Sequence, residues 1–151
     1  MKSSYVLPMG IYIYTIISLE KIFLLDFIGL LLAIIAVSIL IKAKIDLGEY
    51  HVWTGYQNYN TKLITTGIYS YIRHPIYFSI YLYTLASLFT IIPHSNWFVI
   101  LSFCLLMSYI LIFLYIAALK EEDKLYDMFG KKYWKYKNNT NFIIPIDILK
   151  N

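Results

Sequence analysis

Two short stretches hold most of the polar side chains that could do chemistry. The first reads Leu63-Ile64-Thr65-Thr66-Gly67-Ile68-Tyr69-Ser70-Tyr71-Ile72-Arg73-His74-Pro75-Ile76-Tyr77; the second runs from Lys120-Glu121-Glu122-Asp123 through Phe129-Gly130 to Tyr133 and Tyr136. Pro75 suits the first turn of a helix, where its missing N–H costs nothing. A helix starting there sets Arg73 and His74 at its mouth, beside free N–H groups and the positive end of the helix dipole, a seat for an anionic group such as a carboxylate. Glu121 and Glu122 have the opposite preference, because carboxylates are unfavourable at a helix C-terminus. Standing directly after an apolar run, they predict a helix that continues past them to Phe129 and stops at Gly130, the residue type that accepts a left-handed cap. Each cluster also has a plainer account. Arg73 can snorkel to phosphates, with His74 at the boundary and Tyr77 in an aromatic belt; the acidic pair can be a solvated face with weak Glu/Lys pairs at helical spacing.

The elements that must position these side chains are membrane spans. Of the 151 residues, 60% are hydrophobic and only 15% charged, against about 45–50% and about 25% in soluble domains. This places the chain among all-α integral membrane proteins and excludes intrinsic disorder. The length allows one domain, residues 1–151. Residues 22–41, 76–92 and 97–119 are uncharged or nearly so and close to the roughly 20 residues that a crossing requires. Residues 5–19 form a shorter run interrupted by Pro8 and Gly10, a tilted, re-entrant or marginal fourth helix. Pro93-His94-Ser95-Asn96 leaves room only for a reversal, so the last two spans make a tight hairpin that brings both polar clusters to one face of the membrane.

The cations give the orientation. With the C-terminal tail inside, alternation over four spans puts Lys2, Lys42, Lys44, Lys62, Arg73 and seven tail lysines in the cytoplasm and only Lys21 outside, the asymmetry of cytoplasmic loops. Both termini are therefore expected in the cytoplasm. The net charge of +4 then reflects orientation and contacts to anionic headgroups, so membrane lipids are expected partners and nucleic acid is not. Lys131-Lys132-Tyr133-Trp134-Lys135-Tyr136-Lys137 mixes cations with rings as interfacial segments do. Phe142-Ile143-Ile144-Pro145 reads as a short strand or turn that folds back onto the membrane face. No small-residue cleavage site follows the first apolar stretch, so no cleaved signal peptide is expected. Asp26, near the outer end of its span, is expected to reach the interface. His51, His74 and His94 are scattered and Cys104 stands alone, so no metal site is expected. No Walker loop, GxGxxG or GxSxG occurs.

Taken together, LITTGIYSYIRHPIYFS, then a helical hairpin, then EEDKLYDMFGKKYWKYK and IIP resemble the isoprenylcysteine carboxyl methyltransferase and phospholipid methyltransferase superfamily. Its pattern is L-[VI]-x-x-G-x-Y-x-x-x-R-H-P-x-Y, then E-E-x-x-L-x-x-x-F-G-x-x-Y-x-x-Y and I-P, and every fixed position is present within residues 46–145. The resemblance implies a membrane-embedded domain whose cytoplasmic helix ends and tail enclose S-adenosylmethionine, while a lipophilic or prenylated substrate enters sideways from the bilayer. Carried over, His74, Pro75, Tyr77, Glu121 and Glu122 would hold the cofactor, and Tyr69, Phe129, Tyr133 and Tyr136 would shape the enclosure. Arg73 and Glu122 would be the catalytic pair, Arg73 meeting a carboxylate of cofactor or substrate. A sulfonium cation suits aromatic faces and nearby carboxylates.

An activity like that of protein-S-isoprenylcysteine O-methyltransferase is thus expected. A carboxylate acceptor has a reference pKa of about 3.3–3.7 and needs no general base, whereas an amine acceptor would need one, with Glu122 the first candidate. Phospholipid N-methylation is the alternative within the family. Outside it, the NADPH-dependent sterol reductases share R-H-x-x-Y and a terminal I-I-P but are much longer and lack the E-E-x-x-L-x-x-x-F-G spacing. The chain departs from the eukaryotic prenylcysteine enzymes at Ala117-Ala118, where those carry an arginine.

Overall fold

A computed structural model describes residues 6–48 and 62–143. The helices are α1 (Val6–Ile17), α2 (Leu24–Leu47), α3 (Pro75–Ile91), α4 (Trp97–Phe129) and α5 (Lys131–Asn139), with short 3-10 turns at Gly67–Ser70 and Ile92–His94. Among the described residues there is no strand, only an isolated parallel bridge between Ile72 and Asn141.

Three helices, Leu24–Leu47, Pro75–His94 and Trp97–Phe129, are long and apolar enough to cross a membrane, so the protein is an all-α integral membrane protein. Their outward residues, among them Leu31, Leu105, Tyr109 and Phe113, are large and exposed, as lipid-facing side chains are. Being 12 residues long, α1 rises about 18 Å against a hydrocarbon core of about 30 Å. Tyr5, which opens the sequence-predicted first span, lies outside the described residues. The apolar run that ends at residue 41 continues as helix to Leu47, and α4 continues to Phe129 as the acidic pair predicts.

The chain divides into two compact units. The first comprises Met1–Ile41 and Ser79–Leu111. Its core is built from small residues, with Ala33 and Ala86 fully buried beside Tyr12, as helix packing in a membrane favours. Gly29 is required by this approach: a Cβ there would lie 2.8 Å from both the Ala86 carbonyl and the Thr90 hydroxyl. The Tyr12 hydroxyl donates to the Ala86 carbonyl at 3.1 Å and pairs with Thr90 Oγ1 at 2.5 Å. Asp26 does not reach outward. It is 1% exposed, accepts the Phe23 N–H at 2.8 Å and has His94 Nε2 at 3.0 Å from both carboxylate oxygens. A buried carboxylate without such partners would be strongly unfavourable. The second unit comprises Lys42–Phe78 and Ile112–Asn151 and contains both polar clusters.

Candidate functional site

Pro75 opens α3 and is buried. Just before it, the chain is strapped to the tail: the Arg73 and His74 N–H groups donate to the Asn141 and Phe142 carbonyls at 2.8 and 3.1 Å, and the Asn141 N–H donates to Tyr71 at 3.3 Å. These two N–H groups thus serve the backbone of residues 141–142. Phe142 packs against this helix start, with its ring edge-on to His74 at 5.0 Å and beneath the Arg73 guanidinium at 5.4 Å. Pro145 lies outside the described residues, as does His51.

Adjacent residues on a helix point about 100° apart, so the acidic pair divides its work. Glu122 turns inward and is 3% exposed, while Glu121 remains partly exposed. Arg73 Nε donates to Glu122 Oε1 at 2.6 Å, and Arg73 Nη1 donates to the carbonyls of Lys137, at 2.9 Å, and Thr140. Lys137 Nζ stands 2.7 Å from Glu122 Oε2. Tyr77 donates its hydroxyl to Glu121 Oε1 at 2.5 Å. Between them sits the buried His74 ring, stacked on Tyr77 with centroids 5.6 Å apart. Its Nδ1 lies 3.8 Å from Glu121 and its Nε2 lies 3.4 Å from Glu122. Nε2 feels that carboxylate but lacks the alignment of a hydrogen bond, and the buried Tyr133 hydroxyl, also near Glu122, likewise completes none.

Two glycines make this placement possible. Gly130, at φ 51° and ψ −123°, lets α4 pass directly into α5, a turn that residues with a Cβ adopt only under strain. Tyr133 is thereby buried, its ring 6.1 Å from that of Tyr136, whose hydroxyl donates to the Tyr69 carbonyl at 2.6 Å. Phe129 closes α4 beside Gly130 and is partly buried. Gly67, at φ 63°, has no room for a side chain: a Cβ would overlap the Asp46 carboxylate. That carboxylate accepts the Ile68 N–H at 2.7 Å and pairs with Lys42 at 2.5 Å, fixing the turn that carries Tyr69 to the end of α2.

Burial, chiefly, pushes the phenols of Tyr69, Tyr133 and Tyr136 above the usual tyrosine range. Neighbouring negative charge adds to the rise, Asp46 and Glu121 at Tyr69 and Glu122 at Tyr133, while Arg73 opposes it at Tyr133 and Tyr136. All three are neutral at physiological pH.

The structure therefore brings Arg73, His74, Tyr77, Glu121 and Glu122 into direct contact. The carboxylate that Arg73 meets is the chain's own, on Glu122. Two participants carry no mark in the sequence reading. Lys137 is one of a run of cations that reads as lipid contact, and Asp46 lies outside both polar clusters. For Asp46 a usable signal is Gly67 itself, a residue that permits close approach of another group.

The sequence profile of the phospholipid methyltransferase family matches residues 24–132. The chain belongs to this family. Membership, which extends to isoprenylcysteine carboxyl methyltransferase-like proteins, makes it a membrane methyltransferase and decides between the two enzyme classes left open by the sequence in favour of methyl transfer. The match begins at α2, earlier than the motif-bearing stretch, and stops at Lys132, before Tyr133, Tyr136 and Lys137. No curated protein matches the chain.

As a methyltransferase of this family, the protein has a donor set suited to an onium cofactor. The partly exposed Glu121 carboxylate and the stacked His74 and Tyr77 rings can face a cation, and the unsatisfied His74 Nε2 and Tyr133 hydroxyl are buried polar atoms that a ligand can complete.

Proposed function

We propose that this protein transfers a methyl group from S-adenosylmethionine to a prenylcysteine-type carboxylate carried by a lipophilic acceptor in the bilayer. When bound, S-adenosylmethionine supplies a methyl group on a positively charged sulfur. His74, Pro75, Tyr77, Glu121 and Glu122 would hold it, and Tyr69, Phe129, Tyr133 and Tyr136 would wall it off from water. Alignment and exclusion of water are the main tasks of a protein in such a displacement. Arg73 keeps Glu122 in place and ties the tail over the site.

The observation that carries the choice of acceptor is the position of Glu122 between Arg73 and Lys137, with each carboxylate oxygen already paired to a cation. So held, Glu122 is a poor proton acceptor. An amine must lose a proton to be methylated, whereas a carboxylate, ionised above about pH 4, does not. Phospholipid N-methylation draws its support from the family profile instead. Incubating membranes that contain the protein with labelled methyl donor separates the products. Base-labile esters are expected. Labelled N-methylated lipids would refute the carboxylate reading, and no incorporation with any acceptor would refute methyl transfer.

The site is further proposed to face the cytoplasm, as the cations of the tail and of residues 62–74 favour. With α1 as a fourth, short crossing, the N-terminus lies on that side as well.

A further inference from the structure

Glu122 is held by two cations that differ in what they can give up. Arg73 is 9% exposed and its guanidinium is committed three times, to Glu122 Oε1 and to the carbonyls of Lys137 and Thr140. Moving it would break both side-chain ties from Arg73 to the tail. Lys137 is 47% exposed and reaches Glu122 by its ammonium alone, at Oε2, while its backbone carbonyl is what Arg73 holds. Its main chain is thus anchored by Arg73, and its side chain by the ion pair to Glu122 alone. An ammonium has three donors on a flexible four-carbon stem, so it can turn to a new anion without disturbing the helix. The apolar stretch 97–119 of α4 that leads to this carboxylate contains no lysine or arginine, so a negatively charged acceptor arriving along it meets no earlier partner there.

We propose that Lys137 is the anchor for the acceptor's carboxylate, leaving Glu122 Oε2 to take it. This rests on the carboxylate-acceptor reading above. The exchange keeps charge balanced: Glu122 retains Arg73, the acceptor gains Lys137, and Oε2 is released to face a positively charged donor. Acceptor and donor should therefore help each other bind, and by reciprocity to the same degree.

The test uses the full chain in lipid vesicles and two probes, N-acetyl-S-farnesylcysteine and its uncharged carboxamide, with equilibrium binding of each measured directly. Native protein is expected to prefer the acid by about ten-fold, the equivalent of about 1.4 kcal/mol. Lys137→Gln should abolish that preference and Lys137→Arg should restore most of it, while binding of S-adenosylhomocysteine stays within about two-fold, a change of under 1 kcal/mol. A Lys137→Gln protein that still prefers the acid overturns the assignment. So does one that loses S-adenosylhomocysteine in parallel, since Lys137 would then support the donor side. If native protein binds S-adenosylhomocysteine but neither probe, the acceptor class itself is wrong, and the assignment falls with it.

Discussion

Arg73 does two jobs with one planar group. It neutralises a buried carboxylate and gathers two tail carbonyls. Arg73→Ala should therefore cost about 2–4 kcal/mol in stability, between the loss of one charge-assisted hydrogen bond and that of a whole buried pair. Arg73→Lys should recover less than half, because an ammonium cannot reproduce the fork. Thermal unfolding in detergent, followed by helical circular dichroism, measures both; equal midpoints for native and Arg73→Lys proteins would contradict the clamp. The phenols make a second prediction at this scale. With folded values raised above the unfolded value of about 10, Tyr69, Tyr133 and Tyr136 contribute stability that is complete below pH 10. It is lost as pH climbs through the folded values. The unfolding midpoint should fall above pH 10, and Tyr133→Phe, which removes a phenol without a hydrogen-bond partner, should flatten that fall. An unchanged slope would speak against it. Most of the cluster is legible in the chain because Arg73, His74 and Tyr77 sit at one helix start and the glutamates beyond an apolar run. Lys137 is not, since its neighbours Lys131, Lys132 and Lys135 have the same side chain and only packing distinguishes it.

The helices were legible where chemistry forces their ends. Pro75 opens α3, and an acidic pair too polar for a helix terminus pushes α4 on to Gly130. Asp26 was not legible: nothing local announces that His94, 68 residues on, will turn to it. At Gly130 a Cβ would meet nothing within 4 Å, so Gly130→Ala isolates backbone strain. It is expected to cost about 1–3 kcal/mol. Gly67→Ala adds a collision with Asp46 to a comparable φ and should be the more damaging of the two. Paired unfolding measurements decide this, and a Gly67→Ala protein as stable as Gly130→Ala would show that Asp46 yields freely.

For the whole molecule, composition was sufficient to give the membrane class, because so few charged residues cannot cover a soluble surface of this size. The number of crossings was less legible, since α1 is short and its beginning carries Pro8 and Gly10. Single cysteines placed in a Cys104→Ser background, at Ser3 and at Lys135, test the orientation with a membrane-impermeant thiol reagent. Both are expected to react only from the cytoplasmic side. Reaction of the Ser3→Cys site from outside would mean that α1 does not cross. The strap between residues 71–74 and 141–142 has a consequence for biosynthesis. Spans can enter the bilayer one by one as translation proceeds, yet the guanidinium of Arg73 lacks its full set of tail carbonyls until both Lys137 and Thr140 have left the ribosome. A nascent chain halted earlier would be fully integrated and still lack the closed cluster around Glu122, so insertion and completion of that cluster are separate events in the life of this enzyme.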